Sequence, residues 1–335
     1  MRSFVSVAGM RCACAVAAIL GFALVAAPNA QAQATADYPN RPITLIVPYP
    51  PAGGVDAMAR VVAQKLSEAF KQQVIVDNRG GAGGTLGTRA VAKAAPDGYT
   101  LLLGHTGTIS INPSLYKNSG IDPLRDFEAI GLVASMPVAL LAHPSFPAKT
   151  LSEFITLAKA QHGKLNIGTS AVGTGGYMCA ELFKSLAGID ATIIPYKGTA
   201  PVMTDLLGGH VPVAFGVLPP ALGNISAGSL RAIAVTSMKR TSLLPDVPTF
   251  DEAGLPGFDA VLHYGLLAPA GTPKEIVQKL SDELVKGGKS PAVIKKIRDT
   301  GASDLIGTAD ELAEQIKRET IKWKKVVEAA KLEPQ

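Results

Sequence analysis

The sequence predicts an α/β protein with two domains, and two observations carry this prediction. Short apolar segments rich in β-branched residues alternate with helical patterns after Tyr38, which is typical of parallel sheets covered by helices on both faces. The 335-residue chain also exceeds the size that one hydrophobic core usually supports. The predicted strands are residues 43–47, 74–76, 101–103, 165–167, 192–194, 211–215 and 232–235.

Residues 1–34 are predicted to be a secretory signal peptide. Arg2 and Arg11 precede an apolar run over residues 12–27, and Pro28 and small residues follow it, which is the order found in cleaved leaders. The run is short for a membrane span, so an uncleaved anchor is the minor alternative. We therefore expect a periplasmic protein exported by a cleaved signal peptide.

Charge and cysteine content exclude several classes of function. Cys12 and Cys14 lie in the leader, which leaves Cys179 without a partner for an intramolecular disulfide. Its apolar helical surroundings predict a core residue rather than a nucleophile. The net charge of +5 is modest, and the basic cluster at 322–325 is expected on the solvated face of a terminal helix. We expect no nucleic-acid partner.

One unit occurs twice in the sequence: an apolar run, a glycine-rich loop and an amphipathic helical pattern. The copies span residues 43–70 and 165–187. A loop of this kind leaves unpaired backbone N–H groups at the positive end of a helix dipole, where an anion is stabilised. Further polar loops at 78–85, 105–108 and 196–201 also follow predicted strands, and ligands of open α/β sheets bind at the carboxyl ends of strands. The pattern predicts a clamp around an anion.

Helix boundaries and domain crossings follow from local signals. The last helix is predicted from residue 309 to about 331 and is expected to dock on the first domain. The apolar runs 132–142 and 261–268 are the candidates for two crossings between domains, which act as hinges. Three helix starts carry the pattern of a capping box, namely Thr150 with Glu153, Thr272 with Glu275, and Thr308 with Glu311.

The sequence shows none of the motifs expected for catalysis or cofactors. The five histidines have no spacing typical of paired metal ligands. Ser170 lacks the second glycine of a nucleophile elbow, and the loop at 81–86 lacks the last glycine of a dinucleotide-binding motif. We therefore expect no catalytic residue, metal or cofactor.

Four side chains near the glycine loops are candidates for the site. Asp56 is predicted to accept N–H bonds at a helix start and can also face a ligand. Tyr49 and Tyr177 flank the two loops, where a ring can form a pocket wall. Lys197 is a cationic partner for a carboxylate or, equally, an exposed turn lysine.

Ten segments together resemble the extracytoplasmic solute receptors of tripartite tricarboxylate transporters, the Bug family. They include PYPPAGGVD at 48–56 and NRGGAGG at 78–84. The segments are 38–43, 47–56, 78–84, 96–100, 112–116, 196–198, 205–209, 244–249, 252–254 and 268–273. The resemblance implies a two-lobed periplasmic-binding-protein fold of the Venus-flytrap type (type II) with two hinge crossings. Residues 35–138 and 260–335 would form lobe 1, and residues 139–259 lobe 2.

The resemblance also implies a function and a set of binding residues. The protein would be a monomer that captures a small di-, tri- or aromatic carboxylate and delivers it to membrane permease subunits. Backbone amides and polar groups of both lobes would hold the carboxylate. The implied residues are Tyr49, Ala52, Gly53, Gly54, Gly83, Gly84 and Thr106 in lobe 1, and Ser170, Thr174, Gly175 and Lys197 in lobe 2.

Three departures from the family pattern bear on the ligand. Tyr177 stands where relatives frequently have histidine, Gly216 where an aspartate is common, and His263 where a tryptophan is common. The missing acid at 216 disfavours amino acids, and a tyrosine at 177 leaves room for an aromatic ring to stack. Two other functions stay open at this point: a ligand sensor that signals through a membrane protein, and a periplasmic hydrolase using Ser170.

Overall fold

The computed structural model describes residues 37–51, 54–116 and 119–332, so the predicted signal peptide lies outside the described residues. The chain divides into two units, Met1–Asn40 and Arg41–Gln335. In the first unit, the described residues include a cis peptide bond between Tyr38 and Pro39. None of the helices found in the described ranges combines the length and the apolar character needed to cross a membrane.

The second unit contains two β-sheets with helices packed around them. Its described strands are β1 (Ile43–Val47), β2 (Val74–Asn78), β3 (Thr100–His105), β4 (Phe127–Met136), β5 (Val138–Ala142), β6 (Asn166–Thr169), β7 (Thr192–Pro195), β8 (Val213–Val217), β9 (Arg231–Val235), β10 (Leu262–Pro269) and β11 (Ser303–Asp304). Its described α-helices are α1 (Gly54–Phe70), α2 (Thr85–Ala92), α3 (Asn112–Leu115), α4 (Leu151–Ala160), α5 (Gly175–Ala187), α6 (Thr199–Leu207), α7 (Leu222–Ser226), α8 (Lys274–Gly288), α9 (Pro291–Asp299) and α10 (Ala309–Ala329).

The first sheet has the strand order β11-β4-β10-β3-β1-β2, and the second has the order β7-β6-β8-β5-β9. The chain passes from the first sheet to the second between Met136 and Val138, and it returns between Val235 and Leu262. Both crossings therefore join strands of different sheets without a helix on the sheet face.

The expectation of parallel sheets is wrong for the strands next to the crossings. β1 pairs in parallel with β2 and β3, and β6 pairs in parallel with β7 and β8. In contrast, β10 is antiparallel to β3 and β4, and β5 is antiparallel to β8 and β9. A strand that enters from the other sheet needs no right-handed helical crossover, so it is free to insert in the opposite direction.

Apolar side chains of the predicted elements form the cores. On α1, Met58, Val62 and Leu66 are buried at helical spacing against the first sheet. Cys179 is buried on α5, as predicted, and its thiol donates to the carbonyl oxygen of Ala260 at 3.4 Å. Burial raises the pKa of this thiol, which keeps it protonated and unreactive. An aromatic cluster beside the second sheet comprises Phe146, Phe154, Phe183, Phe215, Phe250 and Phe258.

Two of the three predicted capping boxes are confirmed. Thr150 and Thr308 each accept from the backbone N–H of the glutamate three residues later, and each glutamate returns the bond. The box at Thr272 is wrong, because its hydroxyl donates to the carbonyl oxygen of Pro269 at 2.7 Å. A hydroxyl engaged with the preceding turn is turned away from the helix start, and α8 begins at Lys274 after Pro273.

The last helix buries one apolar stripe against the core. Leu312, Ile316, Trp323 and Val327 are buried, whereas Ile321 is 53% exposed. Trp323 is fully buried, and its indole N–H donates to the carboxylate of Glu319 at 2.6 Å. The tryptophan within the basic cluster thus anchors the helix to the core.

Candidate functional site

A cleft of about 450 Å³ lies where the carboxyl ends of strands from both sheets meet. Loops after β1, β2 and β3 form one wall, and the loop after β6 and the end of β7 form the other. We call these the first wall (Tyr49, Gly83, Asn112 and Tyr116) and the second wall (residues 171–174 and 195–197). The position at strand carboxyl ends is the one predicted for a ligand of an open α/β sheet.

A carbonyl group with two donors organises the first wall. The carbonyl oxygen of Gly83 accepts from the hydroxyl of Tyr49 at 3.1 Å and from Nδ2 of Asn112 at 2.8 Å. Asn78 in turn donates to the carbonyl oxygen of Tyr49 at 3.1 Å. Three loops that follow different strands are thereby joined at one point, which holds the wall in place without a ligand.

The imidazole of His105 supports the first wall from behind. Its Nδ1 accepts from the backbone N–H of Gly107 at 2.7 Å, so we assign the ring proton to Nε2. Tyr264 meets the imidazole edge-on, with ring centroids 5.9 Å apart. Burial lowers the pKa of His105 to about 4, which leaves the imidazole neutral near pH 7.

The second wall places the start of a helix beside the cleft. The Thr174 hydroxyl donates to the carbonyl oxygen of Ala171 at 2.7 Å and lies 2.8 Å from the Ser170 hydroxyl oxygen. Thr174 therefore does not cap α5 with its side chain. The first amides of an α-helix have no partner within the helix, so they are available to an anion in the cleft.

Glycines at the second wall allow close contact with residues around the first sheet. A Cβ atom on Gly173 would lie 2.4 Å from Cδ2 of Leu115, and one on Gly175 would lie 2.2 Å from Cδ2 of Leu262. Both distances are too short for any real contact between carbon atoms. The chain at the start of α5 can approach Leu115 and Leu262 this closely only because residues 173 and 175 lack side chains.

Comparison with known proteins shows the family. The sequence model of the family described as "Tripartite tricarboxylate transporter family receptor" matches residues 58–332. Protein BugT of Bordetella pertussis is 36% identical over 311 residues, which cover 92% of this chain and 95% of BugT. The chain belongs to this receptor family. The family predicted from the sequence motifs is thereby confirmed, and it is a family of solute-binding receptors with an implied periplasmic location.

Solved structures confirm the fold of this receptor. The periplasmic binding protein BugD is 38% identical with a TM-score of 0.76, and the match covers 89% of this chain and 100% of BugD. A second structure, "R. palustris Rpa4515 with adipate", is 35% identical with a TM-score of 0.78, covering 89% of this chain and 100% of that protein. The receptor therefore has the two-lobed α/β fold of periplasmic binding proteins.

Four of the predicted site residues line the cleft of this receptor: Tyr49, Gly83, Thr174 and Lys197. Lys197 is exposed and forms no ion pair with any residue that the structure describes. No acidic side chain lines the cleft within the described ranges. Ala52 and Gly53 lie outside the described residues.

Other predicted residues adjoin the walls. Gly54 begins α1, and Gly84 is buried where a Cβ atom would lie 2.5 Å from Cγ2 of Thr108. Gly175 begins α5, and the Ser170 hydroxyl lies beside Thr174. These positions shape the loops, and their contact with a ligand stays a prediction.

Three predicted residues have buried side chains with partners inside the protein. The Asp56 carboxylate accepts from Nε and Nη2 of Arg60 at 3.0 and 3.1 Å. The Thr106 hydroxyl accepts from the backbone N–H of His263 at 2.8 Å. Tyr177 is 8% exposed; burial and the nearby Glu181 carboxylate raise its pKa to about 12. The Thr106 contact joins two segments distant in sequence, whereas the contacts of Asp56 and Tyr177 lie within α1 and α5; binding of a ligand by these three residues stays a prediction.

Sequence reasoning did not select Asn112, Tyr116 or Tyr196 as site residues, although all three line the cleft. Their segments, 112–116 and 196–198, contributed to the family resemblance. Asn112 and Tyr116 follow β3 by a π-helical turn, Gly107–Ile111, and the short helix α3. The sequence does contain a signal for Asn112 and Tyr116, because a polar residue and an aromatic residue follow the end of a predicted strand. That signal does not show that these residues reach the cleft, because the order of strands in the sheet decides which loops face one another.

Proposed function

We propose that this receptor captures a small organic carboxylate between its lobes in the periplasm and delivers it to the permease of a tripartite tricarboxylate transporter. The observation that carries the proposal is the cleft itself. Its wall combines uncapped helix amides at α5 with the unpaired Lys197, and no acidic side chain lines it in the described part of the chain. The adipate bound to the similar Rpa4515 supports the same ligand class.

The charges that line the cleft indicate that the ligand carries no amine. An amino acid carries an ammonium group, which needs a carboxylate partner when it leaves water. The described wall offers Lys197 and neutral groups only. The proposed ligand is therefore an acid without an amine.

Two arginines near the first lobe are already engaged. Arg60 forms an ion pair with Asp56, and Arg41 pairs with Asp97 at 2.9 Å while its guanidinium lies over the Tyr99 ring. The ligand carboxylate is accordingly held by amide donors, by helix dipoles and by Lys197. Each dipole contributes about 0.3–1 kcal/mol at an exposed site and more when it is partly buried.

Closure of the lobes follows from the distribution of these groups. We propose that residues 35–138 and 260–335 form lobe 1 and residues 139–259 lobe 2, with hinges at the two crossings. A ligand that contacts both walls only in the closed form shifts the equilibrium towards that form. The permease then distinguishes the closed, loaded receptor from the open one.

A hydrolase is disfavoured by the neighbours of Ser170. The partner of its hydroxyl is Thr174, which is not a base, and serine nucleophiles require activation by an adjacent base. Ser170 is better explained as a residue that shapes the loop before α5.

The test is a binding screen with a matched variant. The purified protein is unfolded and refolded to remove any ligand, then titrated with malate, adipate, citrate, benzoate and glutamate by calorimetry and thermal unfolding. An acid at 100 times its Kd stabilises the folded state by about 2.7 kcal/mol, which raises Tm by several degrees. Lys197→Met should weaken binding, whereas Lys164→Met, an exposed lysine outside the cleft wall, should not.

Delivery is tested in cells. Deletion of the gene should abolish uptake of the radiolabelled acid that binds, and uptake should return with the wild-type gene. If no carboxylate binds, the proposal fails. If an acid binds but its uptake persists in the deletion strain, the transport role fails and a sensor role is favoured.

A further inference from the structure

Three tyrosines line the cleft, out of seven in the whole chain. Tyr49 and Tyr116 belong to the first wall, and Tyr196 belongs to the second. Both lobes therefore contribute an aromatic ring to the same cleft.

Two of these rings are held in place within the protein. The Tyr49 hydroxyl donates to Gly83, and its ring is stacked on His105. The Tyr196 hydroxyl donates to Oδ2 of Asp205 at 2.8 Å. Rings that are fixed before binding lose little conformational entropy when a ligand arrives. The two lobes thus present preorganised aromatic surfaces.

The third ring, that of Tyr116, has a hydroxyl without a hydrogen-bond partner among the described residues. The Tyr116 hydroxyl has no hydrogen bond to any residue in the described part of the chain, although the side chain is half-buried. A tyrosine hydroxyl in such a place usually finds a polar partner. Tyr116 can therefore contact a ligand ring with its own ring and donate to a polar substituent with its hydroxyl.

The remaining side chains of the second wall are mainly apolar near these rings. Ala171, Val172 and Pro195 line the cleft beside Tyr196. A surface of this kind matches a flat hydrophobic body better than a small acid covered with hydroxyl groups.

We infer that the ligand of this receptor is an aromatic carboxylic acid, whose ring lies between the tyrosines of the two walls, with Tyr116 as the residue that selects for the ring. The inference rests on the proposed function and narrows its ligand class. The carboxylate meets the amide donors, and a second acidic substituent, where present, meets Lys197.

The experiment compares acids that differ only in the ring. Terephthalate, trans-cyclohexane-1,4-dicarboxylate and adipate all place four carbon atoms between two carboxyl groups along the shortest path. Benzoate and cyclohexanecarboxylate form a second pair with one carboxyl group. Because aromatic pairs add to simple burial, each aromatic acid should bind about tenfold more tightly than its saturated counterparts in calorimetric titrations of the refolded protein.

Variants assign the preference to the proposed ring. Tyr116→Leu should remove most of the preference for terephthalate over adipate, measured as the ratio of the two Kd values in the same variant. Tyr116→Phe, which keeps the ring, should retain the preference and show that the site is folded. Tyr99→Leu is the matched control, because this tyrosine packs under Arg41 outside the cleft wall, and it should change neither affinity.

The outcomes separate this inference from the proposed function. Tighter binding of adipate or cyclohexanedicarboxylate than of terephthalate, or equal binding, overturns the aromatic class while the carboxylate receptor stands. An aromatic preference that persists in Tyr116→Leu overturns the role of Tyr116. Failure of every acid, including malate and citrate, overturns both.

Discussion

The imidazole of His105 lies face to face with the phenol ring of Tyr49, with centroids 4.9 Å apart and ring planes inclined by 9°. This contact joins the end of β3 to the loop after β1. It places a half-buried, neutral base directly behind a ring of the cleft wall, so protonation of His105 and the shape of the site are linked.

Acid should destabilise the protein between pH 6.5 and 4. Burial lowers the pKa of His105 to about 4, and burial with the Lys322 and Arg318 charges lowers that of His263 to about 4. In this window the unfolded chain binds the proton and the folded protein does not, so the free energy of unfolding falls as pH falls. Each histidine contributes on the order of 3 kcal/mol across the window.

Urea unfolding at pH 7, 6, 5 and 4.5 measures this effect. The double variant His105→Gln with His263→Gln should flatten the dependence on pH in this range. His210→Gln is the control, because this histidine is exposed. An unchanged slope in the double variant would contradict the assignment.

Gly175→Ala should weaken ligand binding by keeping the walls apart. A Cβ atom at this position would lie 2.2, 2.8 and 2.9 Å from three atoms of the Leu262 side chain, so Leu262 must move or the lobes must separate. We expect about a tenfold loss of affinity and a larger radius of gyration by X-ray scattering in the presence of ligand.

Two variants test this cause. Gly175→Ala combined with Leu262→Ala should recover affinity, because the contact is removed from the other side. Gly223→Ala should have no effect, since nothing lies within 4 Å of the added atom. Full affinity in the single Gly175→Ala variant would show that the contact does not govern closure.

Asn112→Ala should loosen the first wall. The variant removes the bond from Nδ2 to the Gly83 carbonyl oxygen, and a buried hydrogen bond contributes about 1 kcal/mol to stability. We expect a drop of that size in the free energy of unfolding and a several-fold loss of ligand affinity. Asn166→Ala, an exposed residue at the start of β6, provides the comparison; equal behaviour of the two variants would refute the role of Asn112.

Glu319→Ala should destabilise the protein without changing ligand affinity. The Glu319 carboxylate is 2% exposed and accepts from the Trp323 indole N–H at 2.6 Å and from Lys322 at 2.5 Å. Its loss leaves the buried Trp323 indole N–H without an acceptor, which costs about 1–3 kcal/mol, whereas Lys322 is 25% exposed and still donates to the carbonyl oxygen of Asp259 at 3.0 Å. Urea unfolding measures the loss, and Glu314→Ala, on the exposed face of α10, should be close to wild type. A lower ligand affinity in the folded Glu319→Ala variant would instead connect this helix to the site.

Much of the fold could be predicted because its signals are local. β1, with its buried apolar run, and the capping boxes at Thr150 and Thr308 depend on residues within one or two turns of each other. Thr272 failed as a cap because its hydroxyl found a closer acceptor in Pro269, and a sequence pattern does not distinguish competing acceptors.

Part of the candidate site could also be predicted, because the signals for its loops are local. The loops that carry Tyr49, Gly83, Thr174 and Lys197 were identified by glycine content and strand ends. Tyr177 is buried and is not among the residues that line the cleft, since its surroundings on α5 depend on packing against elements that are distant in sequence.

The sequence by itself determined the receptor family, seven of the strand segments, and the glycine-rich loops that follow strands, because motifs and periodicity are properties of short stretches of chain. Only the tertiary structure decided that β5 and β10 run antiparallel to their neighbours, that Asn112 and Tyr49 share the Gly83 carbonyl, and that Tyr116 and Tyr196 line one cleft. These relationships join residues far apart in the chain, and they arise from the order of strands in two sheets and from the packing that brings the sheets together.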